Sequence, residues 1–125
     1  MKCHRDLEAW KRSMTLVQEI YSITGSFPNH ELFGLTNQMR RAGVSIPSNI
    51  AEGAARNSKK EFIQFLYIAL GSLSEVETQI LIAKGLGCLK EQDYLLKEIE
   101  TIRKLVAGLI RSLKKTVTNF SDELQ

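Results

Sequence analysis

The chain has 125 residues and a formal net charge of +3, with 43% hydrophobic and 25% charged residues. This composition is typical of one soluble globular domain, and the mild positive charge favours anionic partners without requiring them. The longest apolar runs, such as residues 65–70, are too short to span a bilayer, and residues 1–10 lack a signal-peptide pattern. We therefore expect a single domain over residues 1–125 in a cytoplasmic protein, with no membrane partner.

The residue types that catalysis and metal binding require are sparse. Cys3 and Cys88 are isolated thiols, and His4 and His30 lie near the N-terminus and in a predicted turn. The motifs of zinc proteases, phosphate-binding loops and serine hydrolases are absent, as is the Glu-x-x-His pattern of di-iron bundles. We expect no disulfide, metal, cofactor, catalytic residue or small-molecule substrate, and hence no enzyme.

Apolar residues recur every three or four positions along the chain, which predicts helices. The first helix is predicted over about residues 6–25, with Asp6 as its N-cap. Gly25 can end this helix, and Pro28 blocks its continuation.

The second helix is predicted over about residues 30–56 and contains the stretch RRAGVSIPSNIAEG at 40–53. Pro47 inside a helix normally costs about 3 kcal/mol, because it removes an N–H donor and crowds the carbonyl four residues earlier. We expect a bend near residues 43–47, either within one helix or at a new helix start with Ser45 as N-cap.

The polar residues of this second segment form one continuous face on a helical wheel. Serine and asparagine are poor helix formers, so their use in mid-helix indicates close packing against a polar partner. Two interpretations remain open: a hydrogen-bond network within the bundle or between subunits, and a ligand or nucleic-acid surface. Asn49 lies at the edge of the apolar side, so we expect its amide to be partly buried and paired. The face consists of Gln38, Arg41, Ser45, Ser48, Asn49, Glu52 and Arg56.

The third and fourth helices are predicted over about residues 59–86 and 91–118, with residues 119–125 as a mobile tail. Ser58 and Glu61 have the spacing of a capping box, and the glycines of KGLG predict the end of the third helix. Four helices with short connections predict an all-α, antiparallel up-down-up-down four-helix bundle. Apolar residues outside one stripe per helix predict either a wide core or contacts between copies.

Basic residues recur on the fourth helix, opposite its apolar seam. Such a stripe can follow a phosphate backbone. Exposed helices are also lysine-rich for solubility, and no aromatic residue interleaves with the stripe for base stacking. The candidate nucleic-acid-binding residues are Lys97, Arg103, Lys104, Arg111, Lys114 and Lys115.

Three stretches resemble the four-helix-bundle proteins encoded in intervening sequences of bacterial 23S rRNA genes: RRAGVSIPSNIAEG at 40–53, SKKEFIQFLYIALGSLSEVETQILIA at 58–83 and DLEAWKRSMTLVQEIY at 6–21. The resemblance implies a plain antiparallel bundle that assembles into ring-like pentamers and has no enzymatic activity. It extends to accessory proteins of diversity-generating retroelements, which implies association with nucleic acid. The family signature falls on Ser45, Pro47, Asn49, Glu52 and Gly53.

The residues and the resemblance together predict a non-enzymatic homo-oligomer, with a pentamer favoured, that binds RNA or DNA through the basic stripe. The alternative is an assembly or adaptor protein whose partner is another protein and which binds no nucleic acid.

Overall fold

The computed structural model describes residues 3–90 and 93–124, with side chains described up to Val117 apart from Asp93. Within these residues the chain forms no strand and four α-helices: α1 (Glu8–Thr24), α2 (Asn37–Ala54), α3 (Lys59–Gly85) and α4 (Asp93–Leu124). Helix α2 packs against α1 and α3, and α4 packs against α3 and α1. The predicted all-α four-helix bundle is confirmed.

Helices α3 and α4 run in opposite directions. Tyr67, early in α3, contacts Lys114, late in α4, whereas Glu77 contacts Arg103, which comes earlier in α4. This arrangement brings the first turns of α3 beside the second half of α4.

The start of α1 differs from the prediction. Asp6 caps a short 3-10 turn, His4–Asp6, by accepting a hydrogen bond from the Cys3 backbone N–H at 3.1 Å. The helix α1 begins one turn later at Glu8, with Leu7 at its N-cap and no side-chain cap. The prediction of Asp6 as the N-cap of the long helix is therefore wrong.

The connection into α2 is irregular where the sequence predicted a continuous helix from residue 30. A 3-10 turn, Asn29–Glu31, leads into a π-helical turn, Leu32–Thr36, and the backbone leaves helical geometry at Gly34 (φ −105°, ψ −108°). Regular α-helix begins only at Asn37 and then continues through Pro47 to Ala54. The alternative of a new helix start at Ser45 is therefore wrong, and a bend near residues 43–47 stays a prediction.

Two glycines of α2 let the neighbouring helices approach closely. A Cβ atom on Gly43 would lie 2.8 Å from Cδ1 of Ile20 in α1. A Cβ atom on Gly53 would lie 2.7 Å from Cβ of Phe65 in α3. Real Cβ atoms do not approach other carbons this closely, so the signature residue Gly53 has a packing role.

Both predicted ends of α3 are observed. The Ser58 hydroxyl accepts a hydrogen bond from the Glu61 N–H at 3.3 Å, which makes Ser58 the N-cap. At the other end Gly87 has a φ of +81°, and the Cys88 N–H donates to the Ala83 carbonyl at 2.9 Å. This is the Schellman geometry, in which a left-handed glycine follows the last helical turn.

The core lies between the four helices and is almost wholly aliphatic. Among the described residues, α3 is the one helix long and apolar enough to span a membrane by length and composition. Its uninterrupted apolar runs are short, however, and 39% of its most apolar stretch is buried. The buried apolar residues of α3 pack in the core of the bundle, as the residues of a core helix do. The fully buried large side chains are Leu16, Ile20, Met39, Ile46, Ile50, Leu66, Leu73, Val76, Ile80, Leu95, Ile99 and Ile102.

Helix α4 is longer than predicted. Its described part begins at Asp93, so the predicted start at residue 91 lies outside the described residues. Its backbone stays helical to Leu124, so most of the segment expected as a tail continues the helix. The mobility of that segment stays a prediction.

Candidate nucleic-acid interface

Four residues of the predicted stripe face solvent along α4: Lys97, Lys104, Arg111 and Lys115. Steps of seven residues place the first three about 10 Å apart on one side of the helix, and Lys115 follows Arg111 by one turn, about 6 Å. The opposite side of α4 is buried in the core at Ile99, Ile102 and Val106. Among the described side chains no carboxylate lies within salt-bridge distance of these four cations, so their charge is directed to solvent.

Arg103 is different from these four. Its guanidinium lies 3.3 Å from the Glu77 carboxylate of α3 and also binds Glu100 one turn earlier in α4. Burial acts to lower the pKa of Arg103, but the hydrogen bonds to Glu100 and Glu77 outweigh it and raise the pKa. The two carboxylates together outweigh its single positive charge, so Arg103 joins α3 to α4 and is not placed to take a phosphate.

Lys114 points toward α3, where it meets an aromatic ring. Its Nζ donates a hydrogen bond to the Tyr67 hydroxyl at 2.7 Å and lies 5.1 Å from the centre of the ring. Tyr67 remains 48% exposed. No aromatic residue interleaves with the stripe on α4 itself, as the sequence showed, but the neighbouring helix α3 brings Tyr67 beside it.

The first turn of α3 adds further cations beside the end of α4. Lys59 and Lys60 are exposed, and with Ser58, Thr116 and Val117 they line a cavity of about 410 Å³. We call this surface between the two helices the α3–α4 basic groove. It consists of Lys59, Lys60, Tyr67 and Lys114, and the exposed cations Arg111 and Lys115 lie beside it on α4.

The polar face of α2 is in part a hydrogen-bond network between helices. The Ser45 hydroxyl lies 2.9 Å from the Ser72 hydroxyl of α3. The Asn49 side-chain N–H₂ donates to the Ser45 carbonyl at 2.7 Å and to its hydroxyl at 2.8 Å. Asn49 is half-buried and paired, as predicted. These contacts support the interpretation of an internal network for Ser45 and Asn49.

The remaining members of the polar face lie nearer to solvent. Glu52 forms an ion pair with Arg56 one turn later at 3.2 Å. Gln38 and Arg41 line a cavity of about 310 Å³ with Ala42, Ser45 and Glu75. Ser48 is exposed. The structure thus separates a packed centre of this face from an open end near Arg41.

Sequence reasoning missed the three residues of α3 that complete these arrangements: Tyr67, Ser72 and Glu77. Tyr67 lies outside the apolar spacing that joins Leu66, Leu73 and Ile80 in the sequence of α3. That position was the available signal for an exposed aromatic side chain. Their partners on α2 and α4 depend on how the helices align, which no local pattern encodes. Within the described part of the chain no group of three or more His, Cys, Asp or Glu side chains is placed to hold a metal ion.

The fold and its surface define a class of small helical-bundle proteins in which a proline-containing helix contacts its neighbour through a pair of serine hydroxyls, and the last helix presents a basic face. The family model of the 23S rRNA-intervening sequence proteins matches residues 5–108, which is most of the chain. The chain belongs to this family, as the resemblance predicted. A comparison with curated proteins finds no match.

Proposed function

We propose that the protein is a non-enzymatic, homo-oligomeric helical bundle that binds RNA or DNA through the basic surface of α4 and the first turn of α3. The observation that carries the proposal is the row of four exposed cations, Lys97 to Lys115, with no described carboxylate within salt-bridge distance. The row is about 27 Å long by the rise of a helix, which is enough to follow several phosphates. The family name refers to an intervening sequence in 23S rRNA, which connects the family loosely with RNA.

Exposed apolar residues support the oligomeric part of the proposal. Helix α3 exposes Ile68, Leu81 and Ile82, and α1 and α2 form a groove of about 390 Å³ lined in part by Met14 and Val44. Two different apolar surfaces on one chain suit a head-to-tail contact, which closes into a ring when the rotation between successive copies closes. We favour a pentamer. A ring repeats the basic surface, so weak contacts from each copy add through effective concentration.

Fluorescence anisotropy with labelled RNA and DNA at increasing salt tests nucleic-acid binding. We expect log K to fall linearly with log salt, because each neutralised phosphate releases counterions. The double variant Lys104→Glu/Arg111→Glu should abolish binding and keep its melting temperature, since both side chains are exposed.

A matched control carries the same change in net charge elsewhere. Lys11→Glu/Lys84→Glu alters two exposed lysines outside the basic row and should keep most of the affinity. Equal losses in both double variants would mean that net charge alone, and not the α4 surface, determines binding. Tight binding whose affinity does not change with salt concentration would place the contact on another surface. The open end of the polar face near Arg41 is then the next candidate.

The alternative function is an adaptor whose partner is another protein. The exposed apolar residues of α3 favour it as much as they favour self-assembly. No binding to RNA or DNA at low salt would select this function and reject the first.

A further inference from the structure

We propose that Tyr67 is a stacking platform for an unpaired base and that the α3–α4 basic groove therefore prefers single-stranded over double-stranded nucleic acid. The inference rests on the proposed function, since it names the form of nucleic acid that the same surface takes. It depends on the contact between α3 and α4, which places an exposed ring among cations.

The ring of Tyr67 is held in place but remains accessible. Lys114 Nζ is 2.7 Å from the hydroxyl and 5.1 Å from the ring centre, so the ammonium lies closer to the hydroxyl than to the centre of the ring. The hydrogen bond holds the hydroxyl end of the ring beside α4, and Tyr67 stays 48% exposed. One turn further along α3, a Cβ atom on Gly71 would meet nothing within 4 Å, which leaves open space beside the ring.

Cations lie on both sides of this ring. On α3, Lys60 lies two turns before Tyr67, about 10 Å away along the helix. On α4, the exposed cations Arg111 and Lys115 lie one turn before and one residue after Lys114, which is itself in contact with the ring. A base on Tyr67 would therefore have its neighbouring phosphates near positive charge.

The groove has one acidic end and one basic end. Toward the middle of the bundle, Glu77 and Glu100 together outweigh the charge of Arg103. Toward the start of α3, the cavity beside Lys59 and Lys60 is lined on its other side by Thr116 and Val117. The distribution of charge favours phosphates on the side of Tyr67 that faces this cavity.

The chemistry of this site discriminates between single and double strands. A ring can stack only on a base whose face is free, and the bases of a duplex are already stacked on each other. Exposed aromatic rings beside a basic groove are the arrangement by which proteins hold single strands without reading their sequence. The lone cations Lys97 and Lys104, by contrast, bind phosphates of either form.

The experiment compares short unstructured RNA and DNA strands with their blunt duplexes, by fluorescence anisotropy at one low salt concentration. The intact protein should bind single strands more tightly than duplexes. Tyr67→Leu should weaken single-strand binding about fivefold or more, the lower bound expected for one lost stack, and leave duplex binding unchanged. Tyr67→Phe, which keeps the ring and loses only the hydroxyl, should retain the preference for single strands.

Tyr94→Leu is the matched control. Tyr94 is 54% exposed and lies in a cavity with Glu8, Glu19 and Glu98, where phosphates are repelled, so its loss should change neither affinity. If single-stranded RNA and single-stranded DNA bind with equal affinity, base stacking accounts for the preference. If the protein prefers only RNA single strands and Tyr67→Leu keeps that preference, the 2′-hydroxyl is the cause and the proposal is overturned.

The outcomes separate this inference from the proposed function. Equal binding of duplex and single strand, or a Tyr67→Leu variant that binds single strands normally, would overturn the stacking role and leave charge-driven binding intact. A smaller oligomer for Tyr67→Leu, measured by light scattering, would assign Tyr67 to a subunit contact and likewise overturn it. Failure of every nucleic acid to bind would reject the proposed function itself.

Discussion

Glycine has opposite effects at two positions of neighbouring helices. Gly53 is buried in α2, and a Cβ atom there would also lie 2.9 Å from Cδ1 of Phe62 and 3.3 Å from its carbonyl oxygen. The carbonyl belongs to the backbone of α3 and cannot turn aside as a side chain can. Gly71 is exposed on α3 with open space around it. The same substitution should therefore change stability in opposite directions at the two sites.

We expect Gly53→Ala to destabilise the protein by about 1–3 kcal/mol, the usual cost of overpacking. Gly71→Ala should stabilise it by up to about 1 kcal/mol, because alanine is the better helix former and meets no obstacle. Thermal unfolding of both variants measures the difference. A Gly53→Ala variant as stable as the unchanged protein would mean that α2 and α3 can separate at no cost.

Asn49 is the residue at which the signature stretch can be tested for a structural role. Its amide joins two acceptors on Ser45, whose hydroxyl is also in contact with Ser72. Asn49→Leu should cost about 1 kcal/mol, the net worth of a typical hydrogen bond. Ser48→Ala, a neighbouring change on the exposed side, should have little effect. An unchanged melting temperature for Asn49→Leu would favour a role of this face in binding.

At the scale of elements, the contact between α1 and α4 contains an unfavourable charge. Arg12 of α1 binds Glu98 of α4 at 3.2 Å and Glu8 at 3.5 Å. Glu19 lies in the same cavity of about 380 Å³, and its Oε2 atom is buried without a hydrogen-bond partner. Burial, and then the charge of Glu98, raise the pKa of the Glu19 carboxyl. Ionised Glu19 therefore costs stability in the folded protein.

The sign of the pH dependence follows from this direction. A raised pKa in the folded state means that folding favours the protonated carboxyl, so the penalty is full above the folded pKa and absent below the unfolded pKa. Glu19→Gln should raise the melting temperature at pH 7 by about 1–3 °C, the change that a few tenths of a kcal/mol produces in a domain of this length. The gain over the unchanged protein should shrink toward pH 4.

Glu8→Gln is the control for this prediction, because it removes a carboxylate that Arg12 stabilises at 3.5 Å. Its melting temperature at pH 7 should not rise. A gain from Glu19→Gln that is equal at both pH values would show that shape, and not charge, limits the stability of this contact.

At the scale of the whole molecule, the oligomeric state is the first measurement. Light scattering should give a mass several times the 14.1 kDa of one chain, independent of concentration in the micromolar range. Ile82→Glu places a charge on the exposed apolar side of α3 and should reduce that mass. Gln18→Glu, on the exposed side of α1, should leave it unchanged. A monomer at all concentrations would reject self-assembly and favour the adaptor function.

Much of the fold could be predicted because its signals are local. Helical periodicity depends on residues three and four positions apart, and the Ser58 cap and the Gly87 end each depend on one turn of chain. The residues around Pro47 were sufficient to identify the family. The errors at Asp6 and around Gly34 arose where a short turn competes with a helix end, since both use the same capping chemistry.

The sequence by itself determined four helices, their buried stripes and the family to which the chain belongs. Only the tertiary structure decided which polar side chains act together: Glu77 balances Arg103, Ser72 meets Ser45, and Tyr67 meets Lys114. Each pair joins two helices, and its formation depends on the rotation and alignment of one helix against the next. Those quantities are set by packing of the whole core, including the close approach at Gly53, and no single helix carries that information.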